Sequence, residues 1–249
     1  MTLTIRITRT IISFTAPNMV IEGQTDFEQY SMKTGISVAA NLRQALADCR
    51  LLHAAQPTPP AQQSSASQFH PVFDTARVYV DTPLMLVPAE EFDEAAAPRL
   101  YHHVNTGYQT ADVLSAPISA VGVVALFAVD KDLRFVLTES FANVQFTPLL
   151  APVLTEFSRL ACGGFQEKMF CYFHDKRVDV CAFRKNRVRF CSSFDATCVP
   201  DAVYFILNAW KQTGMRPNDV MCLSGNFTGY EALITQLKQF VKNIKNITL

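Results

Sequence analysis

The sequence predicts an α/β protein assembled from one unit used twice, and three observations carry that expectation. Short runs that alternate polar and apolar residues give way to longer runs with apolar residues at helical spacing. The order strand, strand, strand, helix, strand, helix recurs in both halves of the chain. The composition also supplies a core, since 49% of the 249 residues are hydrophobic and 19 are Phe. A chain of this size buries roughly 70–75% of the surface exposed when unfolded. The expected organisation is a mixed sheet with flanking helices in each half, residues 1–142 including a crossover strand and residues 143–249.

In the first half, Leu3, Ile5 and Ile7 alternate with Thr and Arg, and Ile12, Phe14 and Ala16 continue the pattern, predicting a hairpin. Residues 26–33 supply a third strand. Ser37 reads as an N-cap, because its hydroxyl can accept an orphan backbone N–H. Behind it Val38, Leu42, Ala45, Leu46, Cys49 and Leu52 mark a helix face. Residues 56–71, rich in Pro, Ser and Gln, have little to bury and read as a mobile loop. Residues 77–81 and 84–87 are strand-like on either side of Pro83. The acidic run Glu90 to Glu94 suits a helix N-terminus, which Pro98 should kink or interrupt. Residues 121–129 form a continuous β-branched run, the pattern of a central strand covered on both faces. Asp130 caps a helix over 131–141, then a strand over 144–147 and a helix over 149–160 end at Gly163-Gly164.

The second half is cleaner. Residues 168–173, 178–183 and 188–193 read as strands joined by tight turns at Asp175-Lys176 and Lys185-Asn186. Pro200 suits a first helical turn, Val203, Ile206, Leu207 and Trp210 give the apolar face, and Gly214 the stop. Residues 220–223 are a short buried strand, and Leu233, Leu237, Phe240, Val241 and Ile244 predict a terminal amphipathic helix.

Charge and cysteine usage narrow the partners. Basic and acidic residues balance at a net +0, which argues against nucleic acid held by bulk positive charge. The opening residues alternate and carry Arg6 and Arg9, whereas a secretory signal needs about 7–15 uninterrupted apolar residues. The longest apolar run, residues 120–129, is about half of a membrane span. Seven cysteines without C-x-x-C spacing fit free thiols in a reducing compartment, so the expected location is the cytoplasm.

Several segments together support a resemblance: residues 5–14, 37–42, 80–88 and 201–214 with its Ala209-Trp210-Lys211-Gln212. They resemble an uncharacterised bacterial domain-of-unknown-function family with the actin-like ATPase fold, two ribonuclease H-like units in tandem. The likeness covers nearly the whole chain. More loosely, residues 124–129, 131–141, 144–147 and the following helix resemble the crossover of actin-like pilus-assembly and type II secretion cytoplasmic proteins. That likeness implies a cytoplasmic scaffold that binds membrane-anchored protein partners.

The actin-like resemblance implies a nucleotide between the halves, held by two hairpin turns with acidic and small residues and by a Gly-Gly turn. Backbone N–H groups approach phosphate closely only where side chains are absent. The matching positions here are Thr8-Arg9-Thr10, with neither acid nor glycine; His174-Asp175-Lys176, with an acid only; and Ser224-Gly225-Asn226, with one glycine. The candidate cofactor-binding residues are therefore Thr8, Arg9, Thr10, Asp175, Lys176, Ser224, Gly225 and Asn226, in a degenerate set. No cofactor is expected, and ATP with magnesium is the competing ligand. The alternative is an ATPase or sugar-kinase-like phosphotransferase using Arg9, Lys176 and Asn226 as unconventional phosphate contacts.

Other constellations resolve to structure. Two-residue turns place Val180 opposite both Cys171 and Cys191, with Cys181 on the other face. The outer sulfurs are then on the order of 10 Å apart, too far for a shared zinc. His102-His103 are adjacent and diverge on a helix, and Asp130 and Asp132 sit where capping needs them. The first strand carries no carboxylate for a two-metal nuclease. Arg184, Lys185, Arg187 and Arg189 form a basic cluster that reads as a solvated sheet edge. No catalytic or metal residue is assigned. The expected role is a non-catalytic scaffold or interaction module with a protein partner, a homodimer being left open.

Overall fold

The computed structural model describes residues 1–18, 21, 23–53, 73–163, 166–185 and 187–248. The loop expected over 56–71 lies outside the described residues. In chain order the elements begin with β1 (Thr2–Ile7), β2 (Ile11–Pro17), β3 (Thr25–Ser31), α1 (Val38–Asp48), the single turn α2 (Arg50–His53) and β4 (Thr75–Val80). Then come β5 (Leu84–Pro88), α3 (Ala97–Val104), β6 (Asp112–Ile118), β7 (Val123–Val129), α4 (Lys131–Ser140) and β8 (Asn143–Pro148). The chain continues with α5 (Leu150–Ala161), β9 (Lys168–His174), β10 (Arg177–Arg184), β11 (Arg187–Asp195), α6 (Val199–Gln212), β12 (Val220–Gly225), α7 (Tyr230–Leu237) and β13 (Asn243–Asn246).

Two five-stranded sheets share one topology. The first has the order β3-β2-β1-β4-β8 and the second β11-β10-β9-β12-β13. In each, an antiparallel three-strand meander leads into strands that pair in parallel. A third, three-stranded sheet has the order β5-β7-β6.

The contacts divide the chain into two compact units. One comprises Met1–Thr82, Asn105–Leu114 and Ala128–Leu149; the other Pro83–Val104, Ser115–Phe127 and Leu150–Leu249. This differs from the single cut expected at 142/143. Strand β8 pairs with β4 from Thr75↔Asn143 to Val80↔Pro148, so its hydrogen bonds tie it to the first unit.

Within the first unit, Leu3, Ile5 and Ile7 of β1 are buried in alternation. Helices α1 and α4 pack together, presenting Ala39, Leu42 and Ala45, and Leu133, Val136 and Leu137, as buried faces. Both N-caps use the expected side chain: Ser37 accepts from the Ala40 N–H at 3.1 Å and Asp130 from the Leu133 N–H at 2.9 Å.

The second unit buries both faces of its sheet. On one face Met169, Cys171, Phe173, Val178, Val180 and Ala182 meet Ile206, Trp210, Leu233 and Leu237 of α6 and α7. On the other, Phe170, Cys181 and Phe183 meet Leu154 and Phe157 of α5 and Ala125 of β7. Phe157 stacks on Phe170 with centroids 4.5 Å apart. Burying each of these rings contributes about 2–3 kcal/mol.

Two expected elements change identity. The terminal helix ends at Leu237, and Ile244 lies in β13, which pairs with β12 at Met221↔Ile244. Strand β12 is buried from Val220 to Ser224, so the backbone edge it turns away from β9 needs hydrogen-bond partners, and that demand outweighs the helical spacing of Ile244. Pro98 opens α3 instead of interrupting a longer helix. Its missing N–H is tolerated in the first turn, and Asp93, within the acidic run, accepts from the Ala97 N–H at 3.1 Å through its carbonyl.

At the edge of the first sheet, Glu28 of β3 accepts from the Tyr30 hydroxyl at 2.6 Å and the Arg50 N–H at 3.0 Å. Burial pushes the Glu28 carboxyl up, but the Tyr30 and Arg50 hydrogen bonds and the Arg50 charge together bring it below its ordinary value of 4.5. A depressed folded value stabilises the fold fully above the unfolded value and loses that contribution as pH falls through the folded one. Glu28→Gln should therefore flatten the fall in urea midpoint below pH 4.5. Equal acid slopes for the two proteins would contradict this.

Candidate functional site

The first predicted turn, Thr8-Arg9-Thr10, joins β1 to β2 in the first unit, with Thr8 buried and Arg9 and Thr10 exposed. It closes on itself. The Thr8 N–H donates to the Ile11 carbonyl at 2.9 Å, and the Ile11 N–H donates to Thr8 Oγ1 at 3.2 Å. The Thr10 carbonyl accepts from the Met32 N–H of the neighbouring segment at 2.7 Å. The two amides that flank the turn are thus engaged inside it.

The other five predicted residues come together at one end of the second sheet. Asp175 and Lys176 both have positive φ, 41° and 61°, so the β9–β10 hairpin uses a primed turn built from non-glycine residues. The Lys176 carbonyl accepts from the Ala196 N–H at 2.9 Å, tying the turn to the end of β11. Beside it, Gly225 closes β12 opposite Phe173. Gly225 has φ +90°, and a Cβ there would stand 2.0 Å from the Phe173 carbonyl oxygen. Glycine is required here by the backbone of β9. The next amide, Asn226 N–H, donates to that same Phe173 carbonyl at 3.0 Å, while Ser224 is buried.

Immediately behind this turn lies a buried polar network that sequence reasoning missed. His174, Arg177 and Asp179 are 6%, 5% and 4% exposed. His174 Nε2 lies 2.7 Å from Asp179 Oδ2, and the Ser193 hydroxyl donates to Asp179 Oδ1. Arg177 Nε approaches Asp195 Oδ1 at 4.0 Å, and the His174 ring stacks on Tyr172 with centroids 5.0 Å apart. With the carboxylate as acceptor, His174 donates through Nε2. Activating a serine nucleophile needs the base within reach of its hydroxyl. Here Asp179 stands between Ser193 and His174, so the set joins three strands and orients the turn.

Part of that network has a sequence signal. A two-residue turn at Asp175-Lys176 pairs His174 with Arg177 and Tyr172 with Asp179, putting Asp179 diagonally beside His174. The Ser193 contact has no such signal. Arg184 faces Arg187 and Phe183 faces Val188, as a two-residue connection requires, but Ala182 faces Phe190. Arg189 is the extra residue of a β-bulge, which shifts all later pairs by one. Asp179 then meets Ser193 in place of Ser192. The second residue of that connection, Asn186, lies outside the described residues.

The bulge also corrects the cysteine geometry. Val180 is opposite Cys171 as expected, but it faces Ser192, and Cys191 faces Cys181 directly. Their sulfurs are 3.5 Å apart, while Cys171 lies in the core on the opposite face. Among the described residues no three His, Cys, Asp or Glu side chains come together as a metal set.

At the far end of the second sheet a cleft of about 350 Å³ is lined by Glu167, Arg184, Arg189, Phe190, Gln212 and Met215, among others. Arg184 of the expected basic cluster pairs with Glu167 at 2.6 Å. None of the eight predicted residues lines this cleft.

A meander feeding parallel strands, present twice with the same strand order, defines a class of protein: the chain has the actin-like ATPase fold. A Bacteroides thetaiotaomicron VPI-5482 protein with actin-like ATPase fold and unknown function is similar to it over 99% of this chain and 90% of that one. The TM-score is 0.84 and the identity 21%. A chain of the PilM-PilN type IV pilus biogenesis complex matches over 99% of this chain and 88% of its own, with TM-score 0.50 and 12% identity. No curated protein matches the sequence. The family described as Protein of unknown function (DUF3822) matches residues 62–244, and the chain belongs to that family. No helix among the described residues is long and apolar enough to cross a membrane.

Two substitutions test the geometry of this end of the sheet. Gly225→Ala should lower unfolding free energy by about 3 kcal/mol or prevent folding, through positive φ and the clash with Phe173. Asp179→Ala, which leaves His174 and Ser193 facing each other without their acceptor, should cost about 3 kcal/mol. Both are read from denaturant unfolding, and losses under about 0.5 kcal/mol would refute the assigned roles.

Proposed function

We propose that this protein is a non-catalytic scaffold or protein-interaction module with degenerate nucleotide-binding turns. The observation that carries the reading is how the turns use their backbone donors. The amides of Thr8, Ile11 and Asn226 donate to acceptors within or beside their own turns. A phosphate cradle needs such donors directed at the ligand with no side chain in the way. Neither Thr8-Arg9-Thr10 nor His174-Asp175-Lys176 has the glycine that the actin-like pattern places there, and of the acids only Asp175 is present. The one glycine, Gly225, answers to the Phe173 carbonyl.

A protein partner is the natural ligand for such a chain, and the PilM-PilN complex is an assembly of proteins on a similar fold. A second copy of this chain is one candidate partner. Seven free cysteines support a reducing, cytoplasmic setting.

Isothermal titration with ATP and magnesium is the test. The expected result is no saturable heat at about 50 μM protein, a level that detects micromolar affinity. Micromolar binding accompanied by hydrolysis would overturn the proposal and support a phosphotransferase that uses Arg9, Lys176 and Asn226.

A further inference from the structure

Cys181 and Cys191 are direct partners across β10 and β11, with sulfurs 3.5 Å apart. Opposed residues of antiparallel strands have Cα separations of about 4.5–5.5 Å, inside the roughly 4.4–6.8 Å that a disulfide spans. A bond of about 2.05 Å is therefore within reach of these directly opposed positions. Without the Arg189 bulge, Cys181 would face Phe190 and the two sulfurs would lie on opposite faces of the sheet. Elsewhere Cys171 is opposite Leu223, and Cys162 donates to the Ser158 carbonyl at 3.3 Å.

We propose that Cys181 and Cys191 are a redox-active dithiol that is oxidised to a cross-strand disulfide by low-molecular-weight disulfides of the glutathione class. Cys191 is half-buried and Cys181 fully buried, so Cys191 makes the first attack. Its sulfur bonds to one sulfur of the small disulfide, whose S–S bond breaks and releases one thiol. Cys181 then attacks Cys191 Sγ and releases the second thiol. One S–S bond is lost and one gained, and the two cysteine protons leave on the two released thiols. Full burial keeps Cys181 from outside reagents, so it takes part only in the second, internal step, in which Cys191 Sγ already lies beside it. The bond would clamp β11 in the bulged register that seats Ser193 on Asp179.

The test incubates the full chain with oxidised glutathione, blocks remaining thiols under denaturing conditions, and maps cysteines by mass spectrometry. A peptide linked through Cys181 and Cys191, released by dithiothreitol, is the expected result. Cys181→Ser should trap glutathione on Cys191, and wild type should retain at least about tenfold less of that mixed disulfide. The proposal fails if Cys191 stays unreacted once the exposed Cys162 and Cys198 are modified. It also fails if wild type keeps glutathione on Cys191 as the variant does, or if either residue links elsewhere. The wild-type map decides the matter even where Cys181→Ser does not fold.

Discussion

The register of β10 against β11 is the constraint on which the chemistry of the second unit rests. Strand β10 is buried on both faces from Arg177 to Phe183. Every polar side chain on it must therefore find a partner or pay desolvation of about 1–3 kcal/mol. Arg189 supplies the adjustment. As the extra residue of the bulge it moves Ser193 opposite Asp179 and Cys191 opposite Cys181. One inserted residue thus satisfies a buried carboxylate and juxtaposes two thiols in the same step.

The turns at the other end obey a backbone constraint. Phe173 belongs to the core between the sheet and α6 and α7, and its carbonyl faces the end of β12. That carbonyl accepts from Asn226 and leaves no room for a Cβ at residue 225. A glycine that resembles the remnant of a nucleotide-binding pair thus has a sufficient reason in the packing of two parallel strands. The His174–Asp179–Ser193 network braces the adjoining hairpin from below. The donors of these turns are engaged internally, and the proposed interaction reading rests on that.

Much of this fold was legible because local and tertiary demands agree. Ser37, Asp130, Pro200 and Gly214 sit at helix ends where their own chemistry suits them, and each occupies the expected place. Legibility failed where a distant demand overrode the local pattern. Ile244 continues a helical spacing, yet the open edge of β12 draws it into a strand. Residues 143–148 look like the start of a second half, yet they complete the first sheet. Of the candidate site, the turn residues were readable, since tight turns announce themselves by composition. Asp179 was half readable through the short Asp175-Lys176 turn, and Ser193 was hidden by the bulge.

The amino-acid order alone determined most of the repeated strand and helix pattern, the helix ends at Ser37, Asp130, Pro200 and Gly214 and the loss of glycine from the first two turns, because these depend on neighbours within a few positions. Only the tertiary structure decided which residues meet across strands. A single extra residue inverts the face of everything beyond it, and nothing local to Arg189 records that inversion. The pairing of Cys181 with Cys191, the seating of Ser193 on Asp179 and the need for Gly225 against Phe173 all belong to that second class.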